Sequence, residues 1–476
     1  MGQSATRVTD SSALKNQRTA LVMLVTSAFA LPLMLSAVNV ALPAMALDLK
    51  MNAVLLSWVP LAFLTASAAS VLAFGRLADM VGRKRIFTLG TVGLLITSVL
   101  LALAPNAETL LALRVLQAVT AAMLYATQVS ILSSIYPPDK RGAAIGVLVS
   151  SVYFGLTCGP VIGGWLVEHL SWRATFVAHV PLTLLVLLFG LPRVKGEWKA
   201  EHRGSFDWTG AALYAGSIVS LMWGGSTLPT FKGIALMGLG ALGLAVFFRH
   251  QHAKTDPLFD VSLFYTNRVF TLSSIAALLM YATTYSTLVL MSLYLQFLKG
   301  LTPTQAGMIM LAQPLVSAVM SPLAGRLSDR IEPRVIASLG MGITGFGLLL
   351  LAQLEAATSL GHVITCLVIT GFGFSLFSSP NSNAIMGAVD KRHYGVAGSA
   401  VATMRVLGQL ASMGLVASAF ALIIGPVAIE PSTYPKLAKA IDLSFLVAAS
   451  LCLPGIACSL ARGKLRPDQS IAQGHL

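Results

Sequence analysis

Two arginines, Arg114 and Arg405, lie inside long apolar stretches of the sequence. Such a side chain must face a cavity or hydrogen-bond acceptors, because an unpaired charge in hydrocarbon is costly. None of the eighteen acidic residues falls near the middle of an apolar stretch, so neither arginine has an obvious carboxylate partner. A cavity that contains Arg405 would therefore favour anionic or acceptor-rich neutral molecules over organic cations. A purely structural role is equally open for both arginines.

Other polar and aromatic side chains inside the apolar stretches mark a candidate substrate cavity. Amide side chains are costly in lipid, so most of them should face the protein interior. A few polar groups on an apolar wall suit small amphipathic ligands. The alternative is that many of these groups form hydrogen bonds between helices. The candidates are Asn39, Gln117, Tyr125, Tyr153, Tyr281, Tyr285, Gln313, Asn381, Asn383, Arg405 and Gln409, with Met34 as adaptable apolar surface.

The elements that must hold these residues are membrane-spanning helices. The chain is 56% hydrophobic and 11% charged, with a mean hydropathy of +0.79. Soluble domains carry about 25% charged residues, and a helix needs about 20 apolar residues to cross a bilayer. Fourteen apolar stretches predict an all-α membrane protein: 20–44, 55–75, 86–104, 109–135, 142–167, 174–192, 208–226, 231–249, 269–297, 304–325, 334–354, 360–386, 395–425 and 442–461.

The distribution of lysine and arginine indicates how the chain is oriented. The net charge is +14, and the basic residues fall mostly in every second loop. If the N-terminus lies in the cytoplasm, that side carries 24 of them and the opposite side carries six. The positive-inside rule therefore predicts a multi-pass protein of the cytoplasmic membrane with both termini in the cytoplasm. The charge needs no nucleic-acid partner to explain it.

Two sequence markers recur at nearly the same offset. The segment GRLAD at 75–79 returns as GRLSD 250 residues later, and DKR at 139–141 returns 251 residues later. Internal repeats of this kind are typical of transporters that move two halves around a midplane site. The repeat predicts a tail at 1–18, a six-helix bundle at 19–192, a two-helix insert with flanking loops at 193–268, a second six-helix bundle at 269–462 and a tail at 463–476.

The segment 75–85 reads GRLADMVGRKR and resembles a loop signature of the major facilitator superfamily, G-x-L-a-D-r-x-G-r-k. In that family the loop latches the two halves in the outward-facing state. The resemblance implies gating roles for Gly75, Asp79, Gly82 and Arg83, and for Gly325 and Asp329 in the second copy. One departure is Met80, where the family usually has arginine.

The fifth apolar stretch contains the most specific match, with glycines and a proline in the pattern G-x-x-x-G-P-x-x-G-G. Glycines four residues apart give a smooth face for close helix packing, and a proline bends the helix. The pattern resembles the family's exporter signature and implies conformational roles. Its residues are Gly155, Gly159, Pro160, Gly163 and Gly164. With Phe206-Asp207-Trp208 before the seventh stretch, the chain is similar to the fourteen-helix drug:proton antiporter branch.

The first apolar stretch departs from that branch, which usually has an aspartate at the position of Met34. Proton coupling would then need another group. Arg114 is one candidate, since Leu110-x-x-x-Arg114-x-x-Gln117 resembles a family signature whose arginine acts in proton transfer. His179, Asp79 and a proton carried by the substrate itself are the others. A hydrogen-bonded structural role for His179 is the alternative.

These features predict a secondary active transporter with the major facilitator fold: fourteen helices in two six-helix bundles plus two inserted helices. We expect it to export small amphipathic molecules by alternating access, coupled to protons. An exporter of one organic anion or metabolite, an importer, and a membrane sensor or scaffold are the alternatives. The sequence contains no recognisable nucleotide-binding loop, metal cluster or catalytic triad. We therefore expect no enzyme activity and no cofactor, and a monomer whose partners are substrate, protons and lipid.

Overall fold

The computed structural model describes residues 2–199, 205–259, 261–328, 330–389 and 394–463. These residues form long helices joined by short connections. The helices are α1 (Gly2–Asp48), α2 (Ala53–Val81), α3 (Arg83–Ala102), α4 (Ala107–Ile135), α5 (Pro138–His169), α6 (Ala174–Val177), α7 (Val180–Leu185), α8 (Trp208–Ser226), α9 (Phe231–Ala253), α10 (Ser262–Thr266), α11 (Arg268–Thr284), α12 (Ser286–Leu293), α13 (Pro303–Met310), α14 (Ala312–Ser328), α15 (Pro333–Leu351), α16 (Leu360–Gly387), α17 (Tyr394–Ile423) and α18 (Tyr434–Ala461).

Twelve helical segments in the described part of the chain are long and apolar enough to cross a membrane. The other two predicted stretches coincide with weaker segments. Residues 174–190 form a shorter apolar helix, and α8 is 19 residues long with a glycine pair near its end. The prediction of an all-helical, multi-pass membrane protein is confirmed, and twelve of the fourteen predicted spans have full-length counterparts.

Short polar side chains fix where several helices begin. Asn52 accepts a hydrogen bond from the backbone N–H of Leu55, and Asn106 accepts one from that of Thr109. These caps satisfy backbone donors that the first helical turn leaves without a partner. Gly82 separates α2 from α3 and has a φ of +137°, a backbone conformation that residues other than glycine rarely adopt.

The contacts sort the helices into three sets. In the N-terminal group (α1–α7), α1 packs on α5 and α4 packs on both α2 and α3. In the C-terminal group (α11–α18), α16 packs on α14 and α15, while α11 packs on α17 and α18. Helices α8 and α9 pack on each other as a helix pair, and α8 also packs against α2 and α17. The two groups meet where α5 contacts α13, α2 contacts α17 and α1 contacts α12.

The molecule has two sides, which we name from α1. The N side is where α1 begins, near the end of α4: Gln17 donates a hydrogen bond to the backbone oxygen of Ile135. The far side is where α1 ends, and there Asp48 pairs with Arg173 at 2.7 Å. The candidate site residues lie in three layers, at the far side, between the helix groups and at the N side.

Candidate functional site

Arg405, on α17, lies in a cluster of hydroxyl groups between the two helix groups. Its guanidinium carbon is 5.5 Å from the ring centre of Tyr281 on α11, and the two side chains interact electrostatically. The hydroxyls of Tyr281 and Tyr153 are 3.5 Å apart, and Tyr153 on α5 lies 3.0 Å from Ser378 Oγ on α16. We call Arg405, Tyr153, Tyr281 and Ser378 the central cluster. It spans both helix groups.

One donor in the central cluster has no partner. The Nε of Arg405 is buried and makes no hydrogen bond. Among the described residues, no aspartate or glutamate pairs with Arg405. Phe374 adds an apolar wall, since its ring packs edge-on against Tyr153 at 6.5 Å and against Tyr281 at 5.8 Å. The cluster therefore combines positive charge, hydroxyl groups and flat aromatic surface.

Three further candidates lie near the cluster: Tyr125 and Asn39 in the N-terminal group and Tyr285 in the C-terminal group. Tyr125 interacts electrostatically with both Arg114 and Arg405. Tyr285 interacts electrostatically with Arg114 and lies near Asn39. Both tyrosines are half-buried, whereas Asn39 is buried. The structure thus brings most of the predicted aromatic cavity residues into one region.

Arg114 begins a chain of buried hydrogen bonds in the N-terminal group. It is 1% exposed, and its Nε donates to the backbone oxygen of Val59 at 3.1 Å. Its Nη1 donates to Gln117 Oε1 at 2.7 Å. Gln117 donates to Ser98 Oγ at 2.9 Å, and Ser98 Oγ lies 3.2 Å from His179 Nε2. Two of the residues predicted to couple protons therefore lie at opposite ends of one polar chain.

The surroundings of that chain are apolar. Arg114 also lies 4.7 Å from the ring centre of Phe63. His179, which is 0% exposed, leaves its Nδ1 without a hydrogen-bond partner. The Sδ of Met34 is 3.4 Å from Gln117 Nε2. An aspartate in place of Met34 would therefore have its carboxylate within reach of Gln117.

Four other predicted cavity residues lie away from the central cluster or have other partners. Asn381 donates to the backbone oxygen of Ser273 at 3.0 Å and accepts from Arg462 at 2.6 Å. Asn383 donates to Ser328 Oγ at 2.8 Å, near the N-side end of α14. The remaining two are Gln313, buried on α14 with an unpartnered Oε1, and Gln409, half-buried on α17.

The glycines of α5 face two different helices. A Cβ added at Gly155 would lie 3.1 Å from the backbone nitrogen of Leu33, and one at Gly159 would lie 2.9 Å from the Leu33 oxygen. A Cβ at Gly163 would lie 2.6 Å from the Cα of Ala37. These three glycines therefore allow α5 to pack on α1, within the N-terminal group.

Gly164 instead faces the C-terminal group. A Cβ there would lie 2.9 Å from the carbonyl carbon of Pro303 and 3.0 Å from the Cα of Thr304, at the start of α13. The approach is reciprocal, because a Cβ on Gly307 of α13 would lie 2.9 Å from the carbonyl carbon of Pro160. Gly164, Pro160 and Gly307 thus form a direct backbone contact between the groups, which we call the far-side contact.

Hydrogen bonds accompany the far-side contact. The backbone N–H of Thr304 donates to Glu168 at 3.0 Å, and Gln296 donates to the backbone oxygen of Val40 at 2.9 Å. Each bond joins the N-terminal group to the C-terminal group. The far side is therefore closed by glycine packing and by bonds to backbone atoms.

At the N side, Asp79 and Arg83 pair within their own turn. Arg83 Nε donates to Asp79 Oδ1 at 2.8 Å, and Arg83 Nη1 donates to the hydroxyl of Ser134 on α4 at 2.6 Å. Gly75 has open space around its Cα. Asp329 lies outside the described residues, and Gly325 packs near Ser379 Oγ, 2.8 Å from where a Cβ would be.

The segment 194–198 binds the turn between α2 and α3. Glu197 accepts the backbone N–H of Lys84 at 2.9 Å, and its other oxygen lies 3.9 Å from Arg85. The Arg83 N–H donates to the Trp198 oxygen at 2.9 Å. A negative charge at the amino end of α3 also matches the helix dipole. A Cβ on Gly82 would collide with Glu197, so close packing as well as the positive φ favours glycine at this position.

The chain that leaves the helix pair reaches the same region. Arg76, on α2, pairs with Asp256 at 3.2 Å. Asp207, which is 2% exposed, holds that segment by accepting from Gln251 at 2.8 Å and by lying 3.1 Å from His250 Nε2. Burial opposes ionisation of Asp207, but hydrogen bonds from His250, the Gly210 backbone and Gln251 outweigh it and keep its pKa below the ordinary 3.8.

Long apolar helices in two packed groups, with polar residues between them, are typical of multi-pass membrane transporters. The sequence matches the Major Facilitator Superfamily over residues 24–413 and again over residues 273–473. The chain therefore belongs to the Major Facilitator Superfamily and transports small molecules.

Curated relatives and solved structures agree with this assignment. The chain is 32% identical to the riboflavin transporter RibZ of Clostridioides difficile (strain 630), covering 88% of this chain and 92% of RibZ. It is 28% identical to the multidrug efflux pump LfrA of Mycolicibacterium smegmatis, covering 89% and 86%. A peptide transporter solved with alafosfalin shares the fold, with a TM-score of 0.67, 15% identity, and coverage of 92% and 93%.

Several contacting residues could not be singled out from the sequence. Ser378 and Phe374 contact the predicted tyrosines, Ser98 links Gln117 to His179, and Glu197 caps α3. Of these residues, only Ser378 could have been recognised from the sequence, because the polar run SSPNSN begins at this position inside an otherwise apolar stretch.

Proposed function

We propose that this protein is a secondary active transporter of the cytoplasmic membrane that exports small amphipathic molecules by alternating access. The two helix groups would rock as two six-helix bundles around the central cluster, with both termini and the N side in the cytoplasm. In this proposal residues 174–190 and α8 also cross the bilayer, which gives fourteen spans. The observation that carries it is the far-side contact, since two bundles that meet through close glycine packing, with no ion pair between them among the described residues, can open and close.

Export is favoured by the glycine-proline pattern of α5 and by the efflux function named for LfrA. Proton coupling would use the polar chain from Arg114 to His179, or Asp79 at the N side. The midplane offers no carboxylate among the described residues, so a proton carried by the substrate itself is the further route.

The second candidate is an exporter of one organic anion or metabolite. Arg405 favours it, because a positive charge without an acidic partner suits an anionic or acceptor-rich molecule. A relative named as a riboflavin transporter is in keeping with such a substrate.

Transport into inverted membrane vesicles tests the proposal. Vesicles that contain the protein should accumulate ethidium or riboflavin when a proton gradient is imposed, and a protonophore should abolish the accumulation. Control vesicles carry no transporter. Uptake confined to right-side-out vesicles would instead establish an importer, and no gradient-dependent movement of any probe in either orientation would contradict secondary transport.

A further inference from the structure

We propose that the central cluster is a binding subsite for flat aromatic molecules that carry hydrogen-bond acceptors, whether neutral or anionic, and that it discriminates against organic cations. The inference rests on the proposed function, because it gives the substrate class of that same pathway. It is carried by the arrangement of Arg405, Tyr153, Tyr281 and Ser378.

The first step is the unpartnered donor. A buried N–H without an acceptor is costly, and the cost is larger for a charged group. The Nε of Arg405 is in that position, and the guanidinium carbon lies 5.5 Å from the ring centre of Tyr281. The planar fork of an arginine presents paired donors that fit a carboxylate or two adjacent acceptors. A ligand acceptor would therefore complete the hydrogen bonding of Arg405.

The second step is the shape of the surroundings. Phe374 packs edge-on to both Tyr153 and Tyr281, with interplanar angles of 69° in each case. Three rings at these angles form apolar walls on which a flat ring system can pack. The hydroxyls of Tyr153 and Ser378 can each donate or accept, so they suit carbonyl or phenolic groups at the ligand's edge.

The third step is the position between the groups. Tyr153 belongs to the N-terminal group, whereas Tyr281, Ser378 and Arg405 belong to the C-terminal group. The bond between Tyr153 and Ser378 must break when the groups separate at this level. A ligand that replaces one partner in that bond would bind both groups at once, which links binding to the change of conformation.

Cations are disfavoured for an electrostatic reason. Arg114 lies in the neighbouring region, and Tyr125 interacts with both arginines. Like charges repel strongly where water is scarce, and no acidic side chain among the described residues pairs with either arginine. The subsite therefore selects by charge as well as by shape.

Equilibrium binding to the purified full-length protein in detergent tests the inference apart from transport. The probes are riboflavin, which is neutral and rich in acceptors, fluorescein, which is anionic, and ethidium, which is cationic. We expect the wild type to bind riboflavin and fluorescein more tightly than ethidium. Arg405→Gln should weaken the first two by about 10- to 100-fold, as expected for hydrogen bonds to a charged group, and leave ethidium unchanged or tighter.

Two further variants keep the test decisive if Arg405→Gln does not fold. Tyr281→Phe and Ser378→Ala each remove one hydroxyl and should weaken riboflavin binding several-fold, while Tyr265→Phe on the exposed surface should not. Equal affinity of all variants for riboflavin and fluorescein, or preference of the wild type for ethidium, would overturn the inference. Gradient-driven ethidium transport without binding of the other two would refute the subsite and leave the transporter proposal intact. Arg405-dependent binding without transport in vesicles would do the reverse.

Discussion

Gly164→Ala should shift the protein towards a conformation that is open at the far side. The added Cβ would lie 2.9 Å from the Pro303 carbonyl carbon and 3.0 Å from the Thr304 Cα, and it would be closer still to the Pro303 oxygen. All three are backbone atoms, so no side-chain rotation can relieve the collision. Helix α5 or α13 must move to admit the methyl group.

The size of the shift follows from where this collision occurs. Forcing an extra methyl group into a well-packed site costs about 1–3 kcal/mol. Gly164 contacts the opposite helix group, so the cost falls on the closed conformation and is relieved when the groups separate. A bias of that size changes the ratio of the two conformations about 5- to 150-fold.

Cysteine labelling from the far side measures this ratio. Gln296, which bonds Val40 across the contact, is replaced by cysteine in a chain whose native cysteines at 158, 366, 452 and 458 have been removed. A membrane-impermeant maleimide should label this cysteine faster in the Gly164→Ala background. Substrate export should fall, because the transport cycle returns through the closed state less often.

Two alanine variants serve as matched controls. Gly163→Ala places a methyl group 2.6 Å from the Ala37 Cα within the N-terminal group, so it should lower thermal stability without raising labelling. Gly159→Ala should give the same result as Gly163→Ala, because Gly159 also packs on α1. Gly342→Ala points into open space and should change neither quantity. If Gly164→Ala and Gly342→Ala gave equal labelling rates, the far-side contact would not control opening.

Three further predictions concern the N side and the buried polar chain. Glu197→Gln removes the negative charge that caps α3, which should cost the α2–α3 turn about 1 kcal/mol of stability. Trypsin should then cleave at Lys84 about fivefold faster, and an unchanged rate would contradict the capping role of Glu197. The pKa of Asp207 is held below 3.8, so its stabilising contribution should be complete at neutral pH and disappear only as pH falls through that lowered pKa. Thermal unfolding of wild type and Asp207→Asn should therefore differ at neutral pH and converge in strong acid; a constant difference would refute this. Met34→Asp puts a carboxylate beside Gln117 and should raise ethidium export in inverted vesicles, with Met34→Asn as the uncharged control that should not.

The helical membrane fold was predictable because hydrocarbon imposes a length and a composition on every span. The prediction was weakest at 174–192 and 208–226. The first of these is divided between α6, α7 and a π-helical turn at Val186–Gly190, and the second is a 19-residue helix in which serine, threonine, tyrosine, tryptophan and glycine interrupt the aliphatic residues. Helix ends also ran further than predicted. For example, α2 continues to Val81, because a helix can extend beyond the hydrocarbon wherever its backbone stays bonded.

The sequence identified which polar residues are in the membrane but not which ones meet. Tyr153 and Tyr281 are 128 positions apart, and only packing of α5 against the C-terminal group brings their hydroxyls together. The reverse holds for Asn381, whose side-chain oxygen accepts a hydrogen bond from Arg462, at the C-terminal end of the second predicted bundle. Glycine patterns likewise predict close packing but not the partner, so nothing in the sequence separates Gly164 from Gly163.

The contacts that join the two helix groups at the far side differ in kind from those that hold the α2–α3 turn at the N side, although the far side also has the Asp48–Arg173 ion pair within the N-terminal group. Glycine packing and bonds to backbone atoms close the far side, where Glu168 supplies a carboxylate to the Thr304 N–H. Partly exposed ion pairs hold the N side, among them Arg76 with Asp256 and Arg83 with Asp79. Salt screens exposed pairs and leaves close packing nearly unaffected. Ionic conditions on the N side can therefore alter the restraint on the α2–α3 turn without weakening the glycine packing that joins the two groups at the far side.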